Sequence, residues 1–230
     1  TQYFRRIITA CVLVLCFVGA YAQTNKSTIV PVLGLLNSGC EGWCGGEPDK
    51  KMIFVTSTLY HGNLLDEAKN VTGKTYPNGL AAGDALCQSR ASAAGLLGSY
   101  LALVRTDTAR AHVRLSETAG PYLRPDGILV ASDKDGLDKG TVLAAPIILT
   151  EFGKPLLESD WSYPDAVTRV WTGETRDYTN GIVRACDNWE TEDIYVSGGK
   201  GSAVAIGSAW LFEGVRKCLE YRMSLYCVEN

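Results

Sequence analysis

Six cysteines, two histidines and a few charged clusters are the residues of this chain that could do chemistry. Cys40, Cys44, Cys87, Cys186, Cys218 and Cys227 follow an N-terminal export-like segment that holds the other two cysteines, Cys11 and Cys16. No CxxC or HxxxH spacing accompanies them, so the pattern is not that of a zinc site. An even set in an exported chain reads as three disulfides, and spacing alone leaves the fifteen pairings open. The histidines, His61 and His112, read as solvated or structural side chains rather than catalysts. No G-x-S-x-G elbow is present. Gly73-Lys74-Thr75 resembles the end of a phosphate loop, but Ala68 stands where the earlier glycine is required. Asp133, Asp135 and Asp138 with Gly136 suggest a calcium loop. Position twelve counted from Asp133 is Ala144 and not glutamate, so a plain turn is the better reading. Arg105, Arg110 and Arg114 form the most concentrated basic group, with Arg110 and Arg114 expected on one helix face at i, i+4. They are the candidate glycan- or partner-binding residues, set against the plainer reading of a solvated helix face. No catalytic residue, metal ligand or cofactor site is expected.

These residues need a compartment and a frame. Arg5 and Arg6, a fourteen-residue apolar run from Ile7 to Ala20, and Ala20-Tyr21-Ala22 read as a signal peptide over residues 1–22. The run is short for a bilayer span. A lipoprotein reading, with Ile8-Thr9-Ala10 before a lipidated Cys11, ranks second. Cleavage removes two arginines and no acids, leaving twenty basic against twenty-five acidic residues, a net charge of −5. That balance argues against generic nucleic-acid binding. Residues 23–50, with Pro31, Pro48 and five glycines, read as a linker. The sequons Asn25-Lys26-Ser27 and Asn70-Val71-Thr72 matter only in a host that glycosylates them.

The domain proper is expected over 51–230. The chain as a whole, 46% hydrophobic and 20% charged, has the composition of an ordinary globular protein. Met52-Ile53-Phe54-Val55-Thr56 reads as a buried strand, and 60–78 as a loop. Asn78 caps a helix over about 80–94 that Gly95 closes. Leu80, Asp84, Cys87, Ala91 and Ala94 share one of its faces, and the small residues on that face predict close helix packing. A strand over 100–104 precedes a short helix over 106–115, started by Thr106 or Asp107. Beyond Gly120 the chain reads as loop-rich β structure, with a glycine loop at 198–201 and a closing strand over 221–228. Trp171, Trp189, Trp210 and Tyr195 read first as core.

Four motifs in register carry a resemblance. They are the run from Cys87-Gln88-Ser89-Arg90 to Gly98-Ser99-Tyr100, then Val170-Trp171-Thr172-Gly173, Cys186-Asp187-Asn188-Trp189, and Leu225-Tyr226-Cys227-Val228-Glu229-Asn230. Over about 51–230 the sequence resembles the endostatin-like proteins: the C-terminal domain of collagens XV and XVIII and the bacterial endostatin-like surface proteins of leptospires. Phe54-Val55-Thr56-Ser57-Thr58 with Gly62-Asn63-Leu64 is closer to the bacterial branch. The resemblance implies an α+β, C-type-lectin-like fold: a mixed sheet, two helices, long loops and disulfide staples. It implies nested bonds, Cys87–Cys227 outside and Cys186–Cys218 inside, and says nothing of Cys40 and Cys44. It further implies a monomeric, secreted or surface-exposed adhesin that binds laminin, fibronectin, heparan sulfate or the complement regulator factor H, without catalysis or a membrane span. The histidine-built zinc site of animal endostatins has no matching residues here, and the calcium motifs of true C-type lectins are out of place. Two other functions stay open. A secreted or periplasmic hydrolase would gather His61 or His112 with Asp126, Asp133 or Glu151. A structural cell-envelope protein would have no ligand.

Overall fold

The computed structural model describes residues 50–118, 120–138, 140–156, 168–175 and 184–230. The signal segment 1–22, nearly all of the linker, Cys11, Cys40, Cys44 and the first sequon lie outside them. The described chain is an α+β fold with a mixed sheet and two disulfides.

The sheet is organised around its last strand. Strands β1 (Lys51–Val55), β2 (Tyr100–Ala102), β3 (Tyr122–Leu123), β4 (Leu129–Ala131), β5 (Arg169–Trp171), β6 (Ser197–Ser202), β7 (Gly214–Lys217) and β8 (Ser224–Glu229) lie in the order β4-β3-β1-β8-β5-β6-β7. β8 takes β1 antiparallel on one edge. Its other edge is shared by β2, antiparallel at the C-terminal end, and β5, parallel at the start. Strands buried on both faces read as continuous apolar runs, and β1 and β8 do. Met52 and Phe54 of β1, with Leu225 and Cys227 of β8, enter the core on the helical face. Ile53, Val55, Tyr226 and Val228 enter the opposite core with Val170, Leu137 and Trp210.

Two α-helices cover the first face: α1 (Leu64–Thr72) and α2 (Gly79–Ala93). α2 is the expected helix, with the Asn78 side chain accepting from Ala81 N at 2.8 Å. Its close approach falls at Gly83, which was not among the residues expected on the packed face: a Cβ there would stand 3.1 Å from Leu64 and 3.2 Å from Ala102. α1 lies where a loop was expected. Asn63 caps it, Leu64 and Ala68 bury at i, i+4, and Gly73 ends it at φ +71°. Those local signals are sufficient in hindsight.

The helix expected over 106–115 does not form. Thr106 instead closes a tight turn: its backbone N–H donates to the Ala109 carbonyl, its side-chain hydroxyl accepts from Ala109 N, and only the 3₁₀ turn His112–Arg114 follows. Arg110 and Arg114 therefore do not share a helix face. The described residues instead contain a third helical element, the single turn α3 (Cys186–Trp189). The glycine loop expected at 198–201 is the strand β6. Its glycines allow close backbone approach: a Cβ on Gly199 would collide with the Glu174 carbonyl, and one on Gly201 with that of Trp210.

Both implied disulfides are present. Cys87–Cys227 ties α2 to β8 across 140 residues, and Cys186–Cys218 ties α3 to the segment between β7 and β8. Such bonds belong to an oxidising compartment, extracellular or periplasmic. No described helix is long and apolar enough to cross a membrane.

Candidate functional site

The least ordinary backbone lies at α3. Cys186, Asp187, Asn188 and Trp189 have φ of 51°, 53°, 55° and 69°, four successive residues in the left-handed region. Asp and Asn tolerate this conformation; Cys and Trp do not favour it, and each such residue costs about 1–2 kcal/mol. The surroundings fix every member. Cys186 is held by its disulfide, whose sulfur packs between Gly62 and Gly198. Trp189 is fully buried, edge-on to Trp171 at 6.2 Å, and its indole N–H donates to the Arg105 carbonyl at 2.8 Å. Asn188 accepts from Asp107 N at 2.9 Å and donates to the Asp107 carboxylate at 2.9 Å. The turn thereby straps the 105–107 loop to the end of the sheet. Asp187 alone is left facing outward.

A cleft of about 420 Å³ opens beside this turn, lined by Asp107, Arg184, Asp187, Tyr195, Val196 and Ser197 along with the backbone of 185–186. Tyr195 is 77% exposed and its neighbour Ile194 61%, so Tyr195 is a surface residue and not core. The loop that carries them is locked by short-range bonds, from Asp193 N to Thr191 Oγ1 and from Tyr195 N to Asp193 Oδ1. Lys217 stands 5.6 Å from the Tyr195 ring centre, a cation–π distance. Among the described residues the side chains of Asp187 and Arg184 meet no hydrogen-bond or ion-pair partner, and both are exposed. A fixed loop, an exposed aromatic ring and two exposed charges of opposite sign can grip a polar surface, with little side-chain ordering left for the moment of contact.

The three arginines singled out from sequence go to three different carboxylates. Arg105 pairs with buried Glu174 at 3.2 Å. Arg110 pairs with Asp138 at 3.3 Å, and His112 meets the other oxygen of Asp138 at 3.2 Å. Arg114 pairs with Asp84 and donates to the Ala102 carbonyl at 3.1 Å. Asp84 also accepts from Ala102 N, and burial raises its pKa against the pull of Arg114. A sulfated chain at these arginines would compete with Glu174, Asp138 and Asp84. None of the three lines the cleft; Arg105 is tied to the turn beside it through its carbonyl, which accepts from Trp189.

The groups considered for hydrolysis are bonded elsewhere. His61 Nε2 accepts from Arg222 at 2.9 Å. Asp126 is held by Arg124, which depresses its pKa, and Asp133 accepts from Gly136 N and Ser132 Oγ. Glu151 is buried, accepting from Ser57 N, Ser57 Oγ and Arg90 Nε at 2.6–2.9 Å. Among the described residues no group of three His, Cys, Asp or Glu side chains is placed to hold a metal.

Sequence reasoning found the Cys-Asp-Asn-Trp motif but not its handedness, which depends on partners 32 and about 80 residues away. No protein-family model and no curated protein sequence matches the chain.

Proposed function

We propose that this chain is an exported, non-catalytic binding protein of the endostatin-like kind, built on a C-type-lectin-like scaffold. Its work is adhesion: it takes hold of matrix proteins such as laminin or fibronectin, of heparan sulfate, or of factor H. The observation that carries this reading is the cleft beside α3. There a conformationally costly turn, held by a disulfide, a buried tryptophan and a side-chain clasp, supports an exposed Tyr195 and the exposed charges of Asp187 and Arg184. Costly backbone that its surroundings over-determine is often found at functional sites. Aromatic anchors on rigid supports are what protein interfaces favour. Two disulfides fit an extracellular or periplasmic setting.

The test is solid-phase binding of the mature protein to laminin, fibronectin, heparin and factor H, at low and at physiological salt. Saturable binding to at least one is expected. Clean negatives across the panel at both salt concentrations overturn the adhesin reading and leave the fold untouched.

A further inference from the structure

The two disulfides sit in unlike surroundings. Cys227 lies within β8, opposite Phe54 of β1 on one side and Ala102 of β2 on the other, and its partner Cys87 is on α2. Its sulfur is reached only when the middle of the sheet opens. Cys186 instead begins the single turn α3, and Cys218 lies in the segment between β7 and β8, outside any strand. All four cysteines are fully buried, so each bond meets a thiol only after the chain around it opens. For Cys186–Cys218 that opening involves one short turn at the end of the sheet. For Cys87–Cys227 it approaches global unfolding.

The turn itself favours opening. Its four left-handed residues include two types that avoid this conformation, and Cys186, at φ 51°, is one of them. The cost is borne by the closed, bonded state. Once the bond is broken, Cys186 can return to ordinary backbone, so reduction relieves strain. Strained disulfides are the more easily reduced kind, and regulatory bonds are drawn from them. The same turn forms part of the cleft: Cys186 and Asp187 line it, and Asn188 holds Asp107, another lining residue.

We propose that Cys186–Cys218 is a redox-sensitive latch on the cleft, opened by a dithiol while Cys87–Cys227 keeps the fold. In an oxidising compartment the closed state is the resting one. One thiolate of the reductant attacks a sulfur of the bond, and the other cysteine leaves as a thiolate. The second thiol then displaces the first cysteine. The dithiol becomes a disulfide, and two electrons and two protons pass to Cys186 and Cys218. With the latch open the turn relaxes, Asn188 releases Asp107, and the cleft loses that wall. The latch depends on the turn and not on what the cleft binds; if the cleft is adhesive, reduction turns adhesion off.

The experiment is timed reduction of the mature protein with graded dithiothreitol under native conditions, followed by alkylation of free thiols and peptide mapping. Alkylated Cys186 and Cys218 are expected to accumulate roughly tenfold faster than alkylated Cys87 and Cys227, or more. Protein reduced only at the latch is expected to keep its far-UV circular dichroism, with faster amide exchange at Asp107 and over 185–190. Asn188→Ala, which removes the clasp on Asp107, is expected to speed reduction of Cys186–Cys218 roughly tenfold and to leave Cys87–Cys227 as it was. The parent protein decides the matter even where that variant does not fold. Reduction of Cys87–Cys227 first or at the same rate, a rate unchanged in folded Asn188→Ala, or unaltered exchange in the singly reduced protein overturns the proposal.

Discussion

Replacing Gly198 with alanine would place a methyl group 2.6 Å from Cys186 Sγ and 2.9 Å from the Trp171 ring. Neither neighbour can retreat, because one is disulfide-bonded and the other is buried beneath the sheet. The expected cost is about 1–3 kcal/mol, the usual range for overpacking, read as a lower urea midpoint at unchanged slope. Asn188→Ala would remove both bonds to Asp107 and put a less tolerant residue at φ 55°. A loss of about 1–2 kcal/mol is expected, with faster amide exchange at Asp107. At this scale the sequence was only partly legible. The cysteines and tryptophans announced a packed core, and the core is there. The exposure of Tyr195 was hidden, because a tyrosine in a Trp-rich stretch carries no mark of which side it faces. The arginines were visible as a group, but their separate carboxylates, Glu174, Asp138 and Asp84, come from distant parts of the chain.

Strand β8 is the element on which the others depend. It pairs with β1, β2 and β5, and Cys227 ties it to α2. In the chain-entropy account a bond spanning 140 residues restricts the unfolded state strongly, by up to about 5 kcal/mol. The double substitution Cys87→Ala with Cys227→Ala is expected to lower stability by about 2–5 kcal/mol, measured by urea unfolding against the intact protein. Elements with dense local signals could be read from sequence: β1 from its β-branched run, α2 from its asparagine cap and closing glycine. The same signals mark α1, yet the Gly, Asn and Lys around it outweighed them and suggested a loop. The helix expected over 106–115 failed for a tertiary reason: Asp107 is engaged by Asn188, and Thr106 turns back onto Ala109. β6 was misread because three glycines look like a loop until the carbonyls of Glu174 and Trp210 are seen pressing on them.

At the scale of the whole molecule, the described residues form a two-faced sheet with a separate core on each side, and both cores bury tyrosines. Burial lifts the Tyr60 hydroxyl from its ordinary value of 10.0 to about 12, and raises Tyr100, Tyr122 and Tyr226 as well. In the unfolded chain these groups ionise from pH ~10, while in the fold they stay neutral. Their contribution to stability is therefore complete below that pH and is lost as pH rises through the folded value of about 12. Urea midpoints are expected to hold from neutrality to about pH 9 and to fall steeply above about 10, with tyrosinate absorbance rising together with unfolding. Topology at this scale was the least legible part, since parallel pairing of β5 with β8 and of β1 with β3 joins segments far apart in sequence. The adhesive role assigned to the cleft is a claim about the whole molecule, and Tyr195→Ala tests it most directly. This variant removes an exposed ring that no core contact needs, so its circular dichroism and Tm should match the parent. For whichever matrix protein, glycan or complement regulator the parent binds, the account predicts a loss of affinity of roughly tenfold or more. Undiminished binding by the folded variant would contradict it.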